Sequence, residues 1–527
     1  MLGEELGPPF NREKVGPGGW LATVVGGAEI RMLHRKLTAP SNCRCSQQQF
    51  RVASRARAVV LEHTLAAGPV MMPTDTKRSS SPAPGPRSWP VIGNLGILRG
   101  VLPFLEQQWR RHGDVFRVQL AGQSATVLTH PEDFQRVLAT DRANFIKGPA
   151  YDPMRKLLGD GLLTLEGETW NTRHALAQPA FHRRSIMRLS AVMAKCGTRF
   201  CDQLASELGG SAQIKDVHRM FVHLTLDVAI CALFGEGGLD SQQISYESLS
   251  QAMEIMSDGV NGFRLPDWIP TPKNRKFKRI GRELDRGVLA IVEHARQNYD
   301  PEAGSLLSML LGARDESGTA LSNEEVRAEV FTLFIAGHET TALTLTWVFA
   351  LLDQHADVMV RMRDEVDSVL AGREPTFEDV AKLPYVRQVV DETLRLRPVG
   401  PFVARNVVND DQIRGFSVGR GEMVMPFIWG LHRHPAFWSH PERFDPERFA
   451  AGEAKARHKW SYMPFSGGAR VCIGSTFALV ESVILLAQLL TRFDLQVQSC
   501  KDVKPTAIGT VRPSSPVRVR FKVRHPR

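Results

Sequence analysis

A single cysteine, Cys472, stands in the run Phe465-Ser466-Gly467-Gly468-Ala469-Arg470-Val471-Cys472-Ile473-Gly474, and a long apolar stretch follows at once. Glycines let a backbone turn tightly and come close to a flat ligand. Free N–H groups of such a loop, and of the helix start beyond it, favour a thiolate over a thiol. A thiolate in that setting can be the axial ligand of haem iron, where it pushes electron density toward O–O cleavage. Arg470 lies two residues from the sulfur and is suited to pair a carboxylate. Taken alone, the loop also reads as a turn before a buried, unreactive cysteine.

Three further groups carry chemistry. Glu392-Thr393-Leu394-Arg395 sets a carboxylate and a guanidinium three apart, on one helix face where they can meet. Pro446-Glu447-Arg448-Phe449 precedes the cysteine loop, and a near copy, Pro441-Glu442-Arg443-Phe444, lies just upstream and reads as a surface turn. Ala336-Gly337-His338-Glu339-Thr340-Thr341 interrupts an apolar run with an acid and two hydroxyls. Its helix opens with Ser322-Asn323-Glu324-Glu325, a capping box, and should run to about Asp353. The stretch from Val330 to Leu352 is long enough to span a bilayer, but His338 and Glu339 near its centre favour a buried core helix.

Together these motifs resemble the cytochrome P-450 family. The Cys472 loop matches the family's FxxGxRxCxG at every fixed position, Glu392 to Arg395 its ExxR, Pro446 to Phe449 its PERF element, and Ala336 to Thr341 its oxygen-side helix, all in the family's order. The resemblance covers about residues 82 to 522. It implies a mainly α fold with small β-sheets (α+β), triangular in outline, around one haem b. It also implies that Cys472 is the iron ligand, and that Arg448 joins Glu392 and Arg395 in a buried ion cluster. Phe465 and Gly474 belong to the haem loop, and Glu339 and Thr340 deliver protons for oxygen cleavage. His338 is not expected to bind metal. Trp170-Asn171-Thr172-Arg173-His174 is similar to the family's WxxxR, with His174 in the arginine's place. Trp170, His174, Arg405 and Arg470 are therefore the candidates for the haem carboxylates, and Arg173 is assigned to the surface. By position in the family pattern, Phe331, Phe334, Ala336, Val399, Phe402, Val403 and Ile508 to Thr510 line the substrate pocket. The loop from Asn144 to Leu163 is where a basic anchor for a substrate carboxylate would lie.

The elements that must hold these groups are legible in outline. Leu102 to His112 reads as a helix, Val115 to Leu120 and Ser124 to Thr129 as a hairpin turning at Gly122, and Pro131 to Ala139 as a helix with proline in its first turn. Helical periodicity dominates from Glu168 to about Leu396. Short strands, a helix from Thr476 to Leu490 and a terminal strand pair follow. Residues 1–78 show no sustained period, so the chain divides into a basic extension, 1–78, and a catalytic domain, 79–527. Met71 or Met72 is the expected true start.

The chain has 527 residues, 43% hydrophobic and 23% charged, which excludes a disordered or fibrous protein. The net charge of +10 is spread along the chain and implies no nucleic acid. Seven cysteines without regular spacing argue against a disulfide scaffold. Cys43 and Cys45 form a CxC without a second pair. The start lacks a secretory signal, and no anchor is evident. A cytoplasmic monomer is expected.

The function implied is a monooxygenase inserting one atom of O2 into a hydrophobic small molecule: a fatty acid, terpenoid, steroid or polyketide. Electrons would come from a ferredoxin or flavodoxin with an NAD(P)H-dependent reductase. Such a partner would dock over Cys472, where Arg183, Arg184, Lys455, Arg457 and Lys459 form a candidate basic patch. A peroxide-driven peroxygenase and a non-enzymatic haem sensor or carrier are the competing readings. The pair Glu339-Thr340 favours the first, because a peroxygenase does not need that proton relay.

Overall fold

The computed structural model describes residues 81–88, 93–120, 123–235, 271–507 and 509–524. The 1–78 extension, with its CxC and its two candidate start methionines, lies outside these residues, as do Gly122 and Ile508.

Helix α1 (Val101–His112) buries Leu102, Phe104, Leu105 and Trp109 on one face and ends at Gly113. The expected hairpin forms from β1 (Val115–Leu120) and β2 (Gln123–Leu128), the second strand one residue earlier than the sequence suggested, with Val115 opposite Leu128. The helix expected over Pro131 to Ala139 is regular only over Pro131–Gln135, and widens into a π-type turn over Arg136–Thr140. Strand β3 (Phe145–Ile146) pairs with β5 (Arg405–Val407), which pairs with β8 (Met423–Pro426), giving a five-stranded sheet of order β1-β2-β8-β5-β3. The pairing of Ile146 with Asn406 places Lys147 and Arg405 at the same sheet edge.

The helical body contains α2 (Gly167–Ala177), α3 (Arg183–Leu208), α4 (Val217–Phe234), α5 (Pro272–Gln297), α6 (Asn323–Leu352), α7 (Ala356–Leu370), α8 (Pro384–Leu396) and α9 (Ser475–Arg492). One large apolar core joins α3, α4, α6, α8 and α9. A second lies between α1 and the sheet and includes Trp347 of α6. The capping box at Ser322 forms: Glu325 N donates to Ser322 Oγ at 3.2 Å and Ser322 N to Glu325 Oε2 at 2.8 Å. The 30 residues of α6 reach about 45 Å at 1.5 Å each. The helix is mostly buried in protein, as its central His338 and Glu339 required. Four of its hydroxyls are satisfied within the helix, since Thr340, Thr341, Thr344 and Thr346 each donate to the carbonyl four residues back.

The last strand, β12 (Arg518–Val523), pairs with β9 (Phe493–Val497) and also with β4 (Gln213–Asp216), so the expected terminal pair is a three-stranded sheet. Two further hairpins are β6 (Asp411–Ile413) with β7 (Phe416–Val418), and β10 (Pro505–Ala507) with β11 (Val511–Pro513). Trp347 Nε1 donates to Val511 O at 2.9 Å, which pins the second hairpin to α6.

Candidate active site

The cysteine loop folds as a tight hairpin, with Cys472 N donating to Phe465 O at 3.0 Å. Gly468 has φ +68°, and a Cβ there would stand 1.9 Å from Leu138 O, so both conformation and space demand glycine. Cys472 ends the loop just before α9, with its sulfur on the wall of a cavity of about 430 Å³. Cys472 is accessible from that cavity, although protein surrounds it on its other sides. Burial raises the thiol pKa, and the Gly474 N–H opposes this only in part. The Gly474 N–H favours the thiolate, in the direction the sequence suggests, without outweighing burial; a cation at the sulfur would complete the shift.

Most candidates from the sequence meet at this cavity. Trp170, His174, Arg405, Phe465, Arg470, Gly474, Ala336, Thr340, Val399, Phe402, Val403 and Thr510 all line it. Gly337 does so too, and a Cβ placed there would meet nothing within 4 Å, so α6 opens a groove toward the thiol.

Cations crowd one flank. Arg470 Nη2 pairs with Glu166 Oε2 at 2.8 Å, and its guanidinium lies 3.6 Å from the centre of the Trp170 ring. Arg405 donates to the Tyr151 hydroxyl at 3.2 Å. Lys147 Nζ donates to Leu162 O and Leu165 O, each at 3.2 Å. Burial pulls the Lys147 amine down to about 7, helped by Arg470 and Arg405 and opposed by Glu166. Burial likewise takes Arg470 down to about 10. The His174 ring lies tilted against Trp170 with centres 4.7 Å apart, and burial and then Arg470 lower its pKa, which favours the neutral imidazole. Two guanidiniums and an amine poised near neutrality, against one carboxylate, make a flank short of negative charge. The two carboxylates of a haem would supply it. Thiol, groove and cations thus fit a haem.

Behind the loop, Arg395 is fully enclosed. It donates to Glu392 from Nε at 2.6 Å and Nη2 at 2.8 Å, and to the carbonyls of His432, Pro441 and Arg443 at 2.9, 2.7 and 3.0 Å. Burial pushes the Glu392 carboxyl up, while Arg395 and the Asp445 N–H hold it down. Arg448 approaches Glu392 at 3.5 Å without a formed hydrogen bond. The upstream copy read as a surface turn has an exposed side chain at Arg443, but its Pro441 and Arg443 carbonyls cap Arg395.

Other expectations fail for physical reasons. Phe331 and Phe334 are buried in the core, away from the cavity, which is faced instead by Thr332, Leu333 and Ala336. Glu339 does not line the cavity. It turns to the β10–β11 hairpin, where it meets Arg512 Nη2 and accepts from Thr510 Oγ1 at 3.4 Å. Arg173 is not at the surface. It is 4% exposed and donates to Glu329 Oε1 at 3.1 Å and Glu325 Oε1 at 2.5 Å. Arg457 leaves the basic patch because it lies 4.4 and 4.5 Å from the ring centres of Trp438 and Phe449. Arg183, Arg184, Lys455 and Lys459 remain exposed.

The sequence reading missed Lys147 and Tyr151 individually, although it marked their loop. It also missed Glu481 of α9, buried beside Thr341, whose carboxyl burial pushes up to about 8.

Comparison with known proteins agrees with this geometry. A family model described as cytochrome P-450 matches residues 83–521. Cyclooctat-9-en-7-ol 5-monooxygenase of Streptomyces melanosporofaciens is 33% identical over 433 residues, covering 80% of this chain and 91% of that protein. Pentalenene oxygenase of Streptomyces avermitilis is 30% identical over 455 residues, covering 84% and 97%. The solved structure of retinoic acid bound cyanobacterial CYP120A1 matches with a TM-score of 0.76 at 27% identity, covering 84% of this chain and all of that one.

Proposed function

This chain belongs to the cytochrome P-450 family and is a haem-dependent monooxygenase, and on that premise we propose that Cys472 holds the iron and that the cavity takes an apolar terpenoid. The observation that carries the first part is the single thiol facing the Gly337 groove, with Lys147, Arg405 and Arg470 on one flank. Trp170, His174 and these three basic groups would hold the haem carboxylates. Bound haem supplies the reductive activation of O2 that places one oxygen atom in a C–H or C=C bond and the other in water.

The chain's own residues do the rest. The apolar wall, including Leu162, Leu163, Leu333, Ala336, Val399 and Phe402, admits a hydrocarbon and excludes water. Thr340 Oγ1 donates to Ala336 O at 2.7 Å and lines the cavity, so its oxygen can accept a hydrogen bond there. Thr510 lines the cavity and bonds to Glu339, which gives protons a path from the rim inward. A terpenoid is favoured over a fatty acid, steroid or polyketide by two lines of support. The relatives above are named for cyclooctat-9-en-7-ol and pentalenene. Among the described residues, moreover, the cations lining the cavity are grouped where the haem carboxylates would lie.

Electrons would come from a separate ferredoxin or flavodoxin, docked near Arg183, Arg184, Lys455 and Lys459. Five free thiols among the described residues suit a reducing, cytoplasmic setting.

The test has two parts. Cys472→Ala should abolish the thiolate-type spectrum of the reduced carbon monoxide complex, and survival of that spectrum removes Cys472 as ligand. Titration of purified wild type with cyclic terpene hydrocarbons should shift the iron spin state at lower concentration than fatty acids of equal carbon number. The reverse order rejects the substrate class and leaves the ligand assignment standing.

A further inference from the structure

Helices α3 and α4 each contribute one cysteine and one charged residue to a cluster outside the cavity lining. Cys196 and Arg199 lie three apart on α3, and Asp227 and Cys231 four apart on α4, so each pair shares a helix face. Arg199 Nη2 lies 2.7 Å from Asp227 Oδ2, 3.3 Å from Cys196 Sγ and 3.7 Å from Cys231 Sγ. One guanidinium nitrogen thus lies within reach of both sulfurs. Cys196 is 2% and Cys231 9% exposed, whereas the Arg199 and Asp227 side chains above them are 50% and 36% exposed. A sulfur pair therefore sits just beneath a solvated ion pair, within reach of a small polar oxidant.

We propose that Cys196 and Cys231 form a dithiol oxidised by hydrogen peroxide, with Cys231 the attacking sulfur and Cys196 the resolving one. The two cysteines differ in the way this division of labour needs. Cys231 is the less buried of the two, and its Cys196 neighbour, then the Arg199 N–H, pull its thiol down against burial and Asp227. The Cys196 thiol is pushed up, first by its Cys231 neighbour and then by burial. Cys196, Arg199 and Asp227 are the titratable and charged groups acting on Cys231 among the described residues. The contrast is Cys201 and Cys500, which burial raises to about 12 and about 11. Thiolate character sets sulfur reactivity, so these two are inert by comparison.

The chemistry balances. The Cys231 thiolate attacks one oxygen of hydrogen peroxide, the O–O bond breaks, and hydroxide leaves. Sulfur has then lost two electrons and stands as sulfenic acid. The Cys196 sulfur attacks it, an S–S bond forms, the S–O bond breaks, and the Cys196 proton leaves with the oxygen as water. The product ties α3 to α4, the helix that presents Ala229, Ala232 and Leu233 to the cavity. Oxidant that accumulates near the enzyme would thus act on a wall of its own pocket.

The experiment uses the full chain with haem bound, and reads thiols. Brief labelling with iodoacetamide and peptide mass spectrometry should show Cys231 modified about tenfold faster than Cys201 or Cys500, with a rate rising through pH 7. Arg199→Ala should slow that labelling several-fold at pH 7 and move its pH profile upward. Hydrogen peroxide should produce a peptide pair joined at Cys196 and Cys231 that dithiothreitol separates. In Cys196→Ser, dimedone should instead trap sulfenic acid on Cys231. Labelling of Cys231 no faster than Cys201, or peroxide treatment that leaves the two cysteines unjoined, overturns the proposal. An unchanged haem spectrum in both variants excludes misfolding as the cause.

Discussion

Two arginine–glutamate clamps anchor helices that line the cavity, α8 and α6, and they are built differently. Arg395 and Glu392 are each wholly enclosed on and around a single helix. All five guanidinium N–H groups are used: two donors go to one carboxylate and the rest to three carbonyls from the turns before the Cys472 loop. Arg173 reaches across the fold from α2 to Glu329 and Glu325 on α6, and Glu325 is 43% exposed. The Leu162 N–H completes Glu329 at 3.1 Å. The first clamp fixes the wall that carries the sulfur. The second fixes the entry of α6, which lines the same cavity. A third pair, Arg512 with Glu339, sits at the rim with 30% and 14% exposure. Burial, and with it the cost of leaving one partner alone, falls from the first to the third.

That gradient is open to test. Arg395→Ala strands a fully buried carboxylate, a loss of about 3–5 kcal/mol. The expected result is little holoprotein, read from yield and haem per chain. Normal haem content in that variant would mean the loop does not depend on this clamp.

Arg173→Ala should cost less, about 1–3 kcal/mol, and in a pH-dependent way. Burial already pushes the Glu329 carboxyl up to about 7. The folded state therefore binds a proton that the unfolded chain has released. This contribution to stability is complete below about 4.5 and is lost as pH rises through about 7. Removing Arg173 takes away a group that lowers this pKa, so the penalty should grow from pH 5 to pH 8, as thermal unfolding would show. Arg173→Ala with Glu329→Gln should recover much of the loss at pH 8. A penalty equal at both pH values would contradict this assignment.

These clamps also show where sequence reasoning stops. Glu392 and Arg395 are legible because both partners lie on one helix at a spacing that defines a face. Arg173 and Glu329 are 156 residues apart, and no local pattern joins them. The position next to Arg173, His174, faces the cavity instead, and adjacent helix residues differ by about 100° of rotation. The same rotation explains Phe331 and Phe334. Helix α6 is apolar on nearly every side, so its sequence carries no amphipathic phase. Packing against α4 turns Thr332, Leu333 and Ala336 to the cavity. Lys147 sits after a two-residue strand in a loop without period, where only the pairing with β5 reveals its neighbours. The fold class, the β1–β2 hairpin and the α6 cap were legible because each depends on local patterning.

The rim pair should matter least to folding among the clamps. Glu339→Gln keeps an oxygen that can accept from Arg512, and a partly exposed pair is worth about 0–1 kcal/mol. Unfolding should shift by no more than that. Turnover should slow if Glu339 passes protons inward through Thr510. Wild-type turnover at every pH would take it out of the relay.

Thr340→Ala belongs to no clamp and should change stability least of all, by under about 0.5 kcal/mol. Its hydroxyl donates only to the Ala336 carbonyl, which keeps its helical environment without it. What the variant loses is a hydroxyl on the wall of the cavity that Cys472 and Gly337 also line. Cleaving O2 needs two protons delivered in order at that wall, with stray water kept out. Haem content, substrate affinity and melting temperature should therefore match wild type. With electrons supplied through redox partners, NADPH consumption should continue, but most of its electrons should appear as hydrogen peroxide in place of oxidised product. With hydrogen peroxide as the oxidant, both protons arrive with it, so the variant should lose much less activity. A fall in melting temperature as large as that of Arg173→Ala would mean that Thr340 holds the wall together, and equal coupling in wild type and variant would mean that it moves no proton.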